Sequence, residues 1–297
     1  MVKYAFIQQH RALVPLRRCC QVLGVSRSGY YAWARRGLSQ RARGNAALLV
    51  TIREIHAQSR EAYGAVKTWK ALRDRGIMCG RHRVARLRRL HGIEARRRRR
   101  FRITTHSTHT TWIAPNRVHR VFHAAQPNRI WVGDVTFIAT RSGWLYLAVL
   151  LDLYSRKVVG WSMSHANDTG LVGNALEMAL VRRRPQPGLI HHTDRGSTYA
   201  AETYRHRLRS QRVLSSMSRK GNCYDNAVAE SFFSTLKNEL LADQRARSSD
   251  QTRSEVFEYI EGFYNRQRLH ASLGYRTPEA FERVSGVSAT RCPPKQG

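Results

Sequence analysis

Residues 130–139 read IWVGDVTFIA, an apolar strand pattern interrupted by one acid, Asp134. Two similar stretches follow, 143–152 (GWLYLAVLLD) and 156–163 (RKVVGWSM), broken at Arg141-Ser142-Gly143 and at Tyr154-Ser155. β-Branched and aromatic runs separated by turn residues predict a three-stranded antiparallel meander. Beyond it the pattern predicts a helix over 168–182, a buried strand over 188–193 (GLIHHT), a helix over 199–211, a short strand over 212–217 and a long helix over about 225–241. That β-β-β-α-β-α-β-α order gives an α/β class, a mixed sheet with helices on both faces. Residues 250–266 predict one more helix, and Pro278-Glu279-Ala280-Phe281 open a short terminal turn.

Toward the N-terminus the pattern is helical. Residues 15–36 (PLRRCCQVLGVSRSGYYAWARR) predict two short helices around Gly24, with Ser26 as an N-cap. Leu16, Cys20, Leu23, Val25, Tyr30 and Trp33 would close a small core. This is a helix-turn-helix pattern, and it fits an ordinary helical hairpin equally well. Three more helices are expected over 45–58, over 63–75 ending at Gly76, and over 80–91 ending at Gly92. In the last, Val84, Leu87 and Leu90 form an apolar seam, while Arg81, Arg83, Arg86, Arg88 and Arg89 cover the remaining surface and suit a phosphate backbone. Arg96-Arg97-Arg98-Arg99-Arg100 and the Ser/Thr/His-rich residues 102–111 carry no apolar period. The chain therefore divides into an all-α, helix-turn-helix-like DNA-binding region (1–93), a basic linker (94–125), an α/β core (126–285) and a disordered tail (286–297).

Charge supports that division. The 297 residues carry 52 Lys+Arg against 20 Asp+Glu, a net +32. Residues 1–120 hold 28 basic and 4 acidic side chains (+24), against 24 and 16 (+8) in 121–297. A polyanion that releases counterions on binding is the natural partner, so nucleic acid is expected. No stretch approaches a membrane span, and MVKYAFIQQHRALVPLRR lacks the apolar core of a signal peptide, so a cytoplasmic protein is expected. Cys19, Cys20, Cys79, Cys223 and Cys292 form no C-x-x-C pair, which argues for a reduced compartment and against structural zinc.

Three acids stand out. Asp134 shares a strand face with Val132, Thr136 and Ile138. Asp194 ends a buried strand and opens the turn Asp194-Arg195-Gly196-Ser197. Glu230 lies at the edge of the long helix's apolar stripe (Val228, Phe232, Leu236, Leu240), within roughly 40° of Asn226 and Lys237 on the helical wheel. Carboxylates brought together in a basic protein suit Mg²⁺ and phosphoryl chemistry. The same trio also suits ion-pair scaffolding against abundant Arg, which is the reading given to Asp152 beside Arg156 and Lys157.

The segments Trp131-Val132-Gly133-Asp134-Val135-Thr136, His191-His192-Thr193-Asp194-Arg195-Gly196 and Asp225-Asn226-Ala227 through Glu230-Ser231-Phe232-Phe233 resemble the DDE motif of integrase-type transposases. Asp194 and Glu230 have 35 residues between them, the family's spacing, and Lys237 matches the basic residue seven positions after the motif's Glu. Gly143-Trp144-Leu145-Tyr146-Leu147 and Tyr264-Asn265-Arg266-Gln267-Arg268-Leu269-His270 match as well. From about residue 15 to 282 the chain is similar to the OrfB proteins of bacterial insertion sequences with two reading frames. Thr193 replaces the family's frequent Ser, and Thr198 its usual Gln.

The resemblance implies a ribonuclease H-like core. It implies Asp134, Asp194 and Glu230 as catalytic metal ligands for Mg²⁺, with Mn²⁺ as a substitute and two ions to a site. It implies strand cleavage at element ends by water, then 3′-OH strand transfer without a covalent protein intermediate. Lys237 and Asn226, together with the Arg residues at 81, 83, 86, 88, 89 and 96–100, are the expected DNA contacts. DNA, an OrfA protein or OrfA–OrfB frameshift fusion, and further copies of the chain are the expected partners. Without sustained heptads of its own, the chain alone should bind DNA weakly and with strong salt dependence. A non-catalytic DNA-binding regulator or inactive copy would use residues 15–100 alone, and a simple nuclease would use the same triad; the complete triad with its long basic region favours the transposase.

Overall fold

A computed structural model describes residues 2–37, 39–96, 113–119, 121, 123–219, 226–240 and 247–289. Its sheet has five strands in the order β3-β2-β1-β4-β5. They are β1 (Ile130–Thr140), β2 (Gly143–Asp152), β3 (Val158–Ser164), β4 (Ile190–Thr193) and β5 (Leu214–Met217). The first three form the expected antiparallel meander, and β4 and β5 add in parallel beside β1.

Successive side chains of a strand point to opposite faces, and both faces here are covered. Val132 and Ile138 of β1, with Leu147, Val149 and Leu151 of β2, enter one core. Trp131 of β1, with Ala148 and Leu150 of β2, enters the other. This is why 145–151 reads as unbroken apolar sequence. The first core is closed by α10 (Ala227–Glu239), which supplies Phe232, Phe233 and Leu236, and by the segment after α11 (Ser249–Phe257). The second is closed by α7 (Thr169–Arg183), α8 (Ser197–Ala200) and α9 (Glu202–Ser210). Asp168 caps α7, its Oδ1 accepting from Leu171 N at 2.9 Å. The helix then packs so closely on β3 that a Cβ on Gly160 would lie 2.2 Å from the Ala175 carbonyl oxygen.

The N-terminal part is α1 (Val2–His10), α2 (Leu16–Val22), α3 (Arg27–Arg35), α4 (Gln40–Gln58), α5 (Ala65–Asp74) and α6 (Arg81–Leu90). Ser26 caps α3 through Gly29 N, and Ser39 caps α4 through Ala42 N. The small core expected over 15–36 forms, with Ile7 and Tyr4 of α1 as further members. A second core joins Leu48, Ile52, Ile55, Leu72, Val84 and Leu87. Leu269 enters that core, its N–H donating to Tyr63 Oη at 2.7 Å.

Several expectations need correction. Leu90 does not join the seam with Val84 and Leu87; it is 69% exposed at the end of α6. The helix expected over 199–211 breaks at Ala201 into α8 and α9. Past α11 the helix widens into a π turn over Glu258–Tyr264, which buries Tyr259, Ile260, Phe263 and Tyr264 together. The expected terminal turn is a full helix, α12 (Pro278–Ala289). Thr277 Oγ1 caps it by accepting from Ala280 N, and Glu282 ties it to Arg183 at 2.8 Å and to Ser155 Oγ. Residues 290–297 of the expected tail lie outside the described residues.

Candidate active site

The register of β1 brings two of the three acids together. Asp134 pairs with Val149 of β2 on one side. On the other, the parallel ladder runs Ile130–Ile190, Trp131–His191 and Val132–His192. Asp194 lies just past the end of that ladder, close enough to Asp134 to raise its carboxyl. Asp194 follows the last residue of β4, and its Oδ1 turns the chain by accepting from Gly196 N at 2.9 Å. Gly133 is required between them, because a Cβ there would lie 2.6 Å from the His191 ring.

Glu230 sits exposed in the first turn of α10, where the helix dipole favours an acid. Lys237 lies two turns further along the same side, about 10 Å away by helical rise. Its Nζ is 5.0 Å from the centroid of the Phe137 ring. Asn226, at the N-cap, is buried, and its Oδ1 has no partner among the described residues.

The electrostatics are those of crowded acids. Burial pushes the Asp134 carboxyl well above its ordinary range, and Asp194 and then Glu230 push it further. The backbone N–H of Val135 and the charge of Lys237 oppose that only in part. Burial raises Asp194 against the Gly196 N–H, and desolvation raises Glu230. Lys237 is pulled down by burial and held up by Asp134. None of the three acids has an ion-pair partner within 4 Å among the described residues. Asp152 is such a scaffolding acid, although its partner is Arg183 at 3.5 Å rather than the adjacent Arg156 or Lys157. Asp152 also accepts from Asn128 N and Tyr154 N.

An all-carboxylate set whose members repel one another fits a hard divalent cation by donor type. As the side chains stand, no three potential ligands among the described residues are drawn close enough to hold an ion. The triad is gathered but open.

Of the expected DNA contacts, Arg81, Arg86 and Arg89 are exposed on α6. Arg83 is half-buried, its Nε donating to Asn45 Oδ1 at 2.8 Å. Arg88 is a correction: it is 4% exposed and donates to Thr68 Oγ1 and the Tyr63 carbonyl, so it braces the helical core and meets no phosphate. Asn226 is likewise buried rather than offered to DNA. Arg96 is exposed and paired with Glu61 at 3.3 Å, and Arg97, Arg98, Arg99 and Arg100 lie outside the described residues.

Two residues beside the acids were missed. Tyr199 is buried near the two Asp residues: burial raises its phenol most, then Tyr204, then Asp134 and Asp194, and its Oη has no partner among the described residues. His191, which passes under Gly133, is pulled down to about 3 by burial and then by His192, and its Nε2 pairs with Tyr204 Oη at 2.8 Å. The motif's His191-His192-Thr193 was the only signal in the sequence for this buried layer.

The Integrase core domain family matches residues 124–223, and a second Integrase core domain family matches residues 211–278. An HTH-like domain family matches residues 43–101, which covers α4–α6 rather than the 15–36 pair to which the sequence pattern pointed. The chain is 47% identical over 262 residues to the uncharacterised 31 kDa protein of insertion element IS600 from Shigella sonnei, covering 88% of this chain and 96% of that one. It is 39% identical over 283 residues to transposase InsF of insertion sequence IS3A from Escherichia coli K12, covering 95% and 98%. Among solved structures, the HTLV-2 integrase catalytic core in complex with magnesium aligns at 18% identity and a TM-score of 0.42, over 54% of this chain and 99% of that one.

Proposed function

The chain belongs to the insertion-sequence transposases with an integrase core domain, and from that premise we propose that Asp134, Asp194 and Glu230 are its catalytic triad. It is a DDE-type transposase, a polynucleotidyl transferase acting in DNA integration, with a ribonuclease H-like core and a helical HTH-like domain before it. The observation that supports the residue assignment is that Asp194 and Glu230 both raise the buried Asp134 carboxyl, while none of the three has an ion-pair partner among the described residues of a chain of net charge +32.

In this reading Asp134, Asp194 and Glu230 would hold the ion with their carboxylate oxygens. Bound Mg²⁺, with Mn²⁺ as a substitute and two ions to a site, supplies activation of the attacking oxygen and stabilisation of the leaving one. Lys237, on the same side of α10, holds a phosphate next to the cleaved bond. Arg81, Arg86 and Arg89 track the backbone of the element end. The partners are the element's ends and its target DNA, an OrfA protein or OrfA–OrfB fusion that finds those ends, and further copies of the chain. The setting is the bacterial cytoplasm; no helix among the described residues is long and apolar enough to cross a membrane.

The test is cleavage and joining on a labelled duplex built from the element's inverted repeat, with Mg²⁺ or Mn²⁺ and with or without OrfA. Wild type is expected to nick and join, and Glu230→Gln to do neither while binding DNA equally. Hydrolysis without joining would favour a nuclease. Equal inactivity of both proteins, with equal binding, would favour a regulator or an inactive copy.

A further inference from the structure

The hairpin of β1 and β2 carries an aromatic pair that the triad does not use. Phe137 and Trp144 are 44% and 53% exposed, with ring centroids 5.0 Å apart and planes at 86°. In the β1–β2 register Phe137 faces Tyr146 and Ala139 faces Trp144, so the two rings are diagonal neighbours on one face of the sheet. β4 pairs with β1 only as far as Val132, and at the hairpin tip the Arg141 N–H donates to the Arg247 carbonyl at 2.9 Å.

We propose that Phe137 and Trp144 form a stacking platform for an unpaired DNA base close to the cleaved phosphate. The proposal rests on the triad reading for its position. Phe137 is three residues along the strand from Asp134, about 10 Å away and turned to the opposite face; what links the two is Lys237, whose Nζ stands 5.0 Å from the Phe137 ring and whose charge also acts on Asp134.

Charge selects the occupant. Residues 135–151 contain no acid, and their one charged side chain is Arg141, exposed at the hairpin tip. Lys237 Nζ stands over the Phe137 ring. His165, also exposed, bonds through Nδ1 to the Trp144 carbonyl at 3.3 Å. Aromatic faces between cations match a single-strand groove, where bases stack and phosphates are neutralised. A protein partner would be met by a surface poorer in Lys. Paired DNA does not suit the platform, because each base face inside a duplex is already covered by its neighbour. A base pulled from its partner at the reacting end has a free face to offer.

The experiment compares the full chain with Phe137→Ala, Trp144→Ala and Trp144→Phe by fluorescence anisotropy in EDTA. The probes are a labelled oligothymidylate and a blunt duplex of the same length, with thermal melts to verify folding. Each Ala variant is expected to weaken oligothymidylate binding roughly 5- to 100-fold and to leave duplex binding within a factor of about two, while Trp144→Phe retains most of the affinity. Equal losses on both probes, or none, would overturn the platform. So would a changed subunit count by light scattering with unchanged oligothymidylate affinity, which would make the pair a protein interface. Asp134→Asn, tested for cleavage in parallel, separates the two readings. Lost oligothymidylate binding in Trp144→Ala beside an active Asp134→Asn would sink the triad and keep the platform. Unchanged binding beside an inactive Asp134→Asn would do the reverse.

Discussion

Helix α10 carries an acid at each end, and the fold treats them in opposite ways. At its C-terminal end Glu239 is buried and enclosed: Arg268 donates to both carboxylate oxygens, the shortest contact being 2.7 Å, and Tyr259 Oη donates at 2.8 Å. At its N-terminal end Glu230 faces Asp134 and Asp194, and no guanidinium comes within ion-pair distance of any of the three among the described residues. Arginine is abundant in this chain, so the difference is one of placement. Where an acid holds the fold together, a cation from the chain meets it. Where acids stand together, Lys237 offsets their repulsion only in part, and the fold bears an electrostatic cost.

The sharpest break in that comparison is Asp134→Asn. Strand cleavage should fall on the order of 10³-fold or more, as removal of one charged ligand from a preorganised site does. The metal-free protein should meanwhile become more stable at pH 8. The native carboxyl of Asp134 is raised well above its ordinary value of 3.8, so the native state retains a proton that the unfolded chain gives up near that value. Stability therefore falls as pH rises from about 3.8 through the raised native value, and the Asn variant loses this slope. Thermal melts across that window are expected to converge at the acid end and separate at the alkaline end. Added Mg²⁺ should raise the wild-type melting temperature at pH 8 and leave the variant almost unmoved. A variant melting below wild type throughout would show that Asp134 is structural after all.

The other end of α10 should answer in reverse. Arg268→Ala leaves Glu239 buried and unpaired, which costs about 3–5 kcal/mol of stability by urea unfolding. The neighbouring backbone is tied to the N-terminal helices through Leu269 N and Tyr63 Oη, so amide exchange should rise around Tyr63 as well as around Arg268. A double change of Glu239→Gln with Arg268→Met is expected to recover much of the loss, because neither charge is then stranded. Failure of the double variant to recover would mean that shape rather than charge pairing holds this junction.

Strand alternation, a strand end and a helical wheel single out Asp134, Asp194 and Glu230 in the sequence, and that the three act as a triad is what the family resemblance implies. β2 was found to the residue because its apolar run is bounded by a turn glycine and an acid. Other elements gave no such sign. VKYAFIQQH has no acidic first turn, so nothing in it marks α1, although Ile7 is fully buried. Thr277-Pro278 did carry a helix-start signal, yet what extends α12 is the long-range pairing of Glu282 with Arg183, invisible to any local window. Tyr199 was placed beside the acids by the parallel register of β4 and β1, which no periodicity announces.

The finest distinction lies on α6, where Arg86 and Arg88 are near neighbours that the sequence treats alike. Arg88 points inward to Thr68 and the Tyr63 carbonyl, and burial lowers its pKa. Arg86 is exposed. Arg86→Ala should leave the melting temperature unchanged and weaken DNA binding a few-fold, reducing the slope of log affinity against log salt by about one. Arg88→Ala should leave that slope intact and lower stability by about 1–3 kcal/mol, since it strips partners from a buried hydroxyl and a buried carbonyl. Anisotropy titrations across a salt series, paired with urea melts of the same two variants, measure both quantities. If Arg88→Ala changed the salt slope and spared the melt, the side chain would have to swing out of its pocket on DNA. Arginine on α6 would then be a reservoir of phosphate contacts, and the separation of bracing from binding drawn along α10 would not extend to the N-terminal helices.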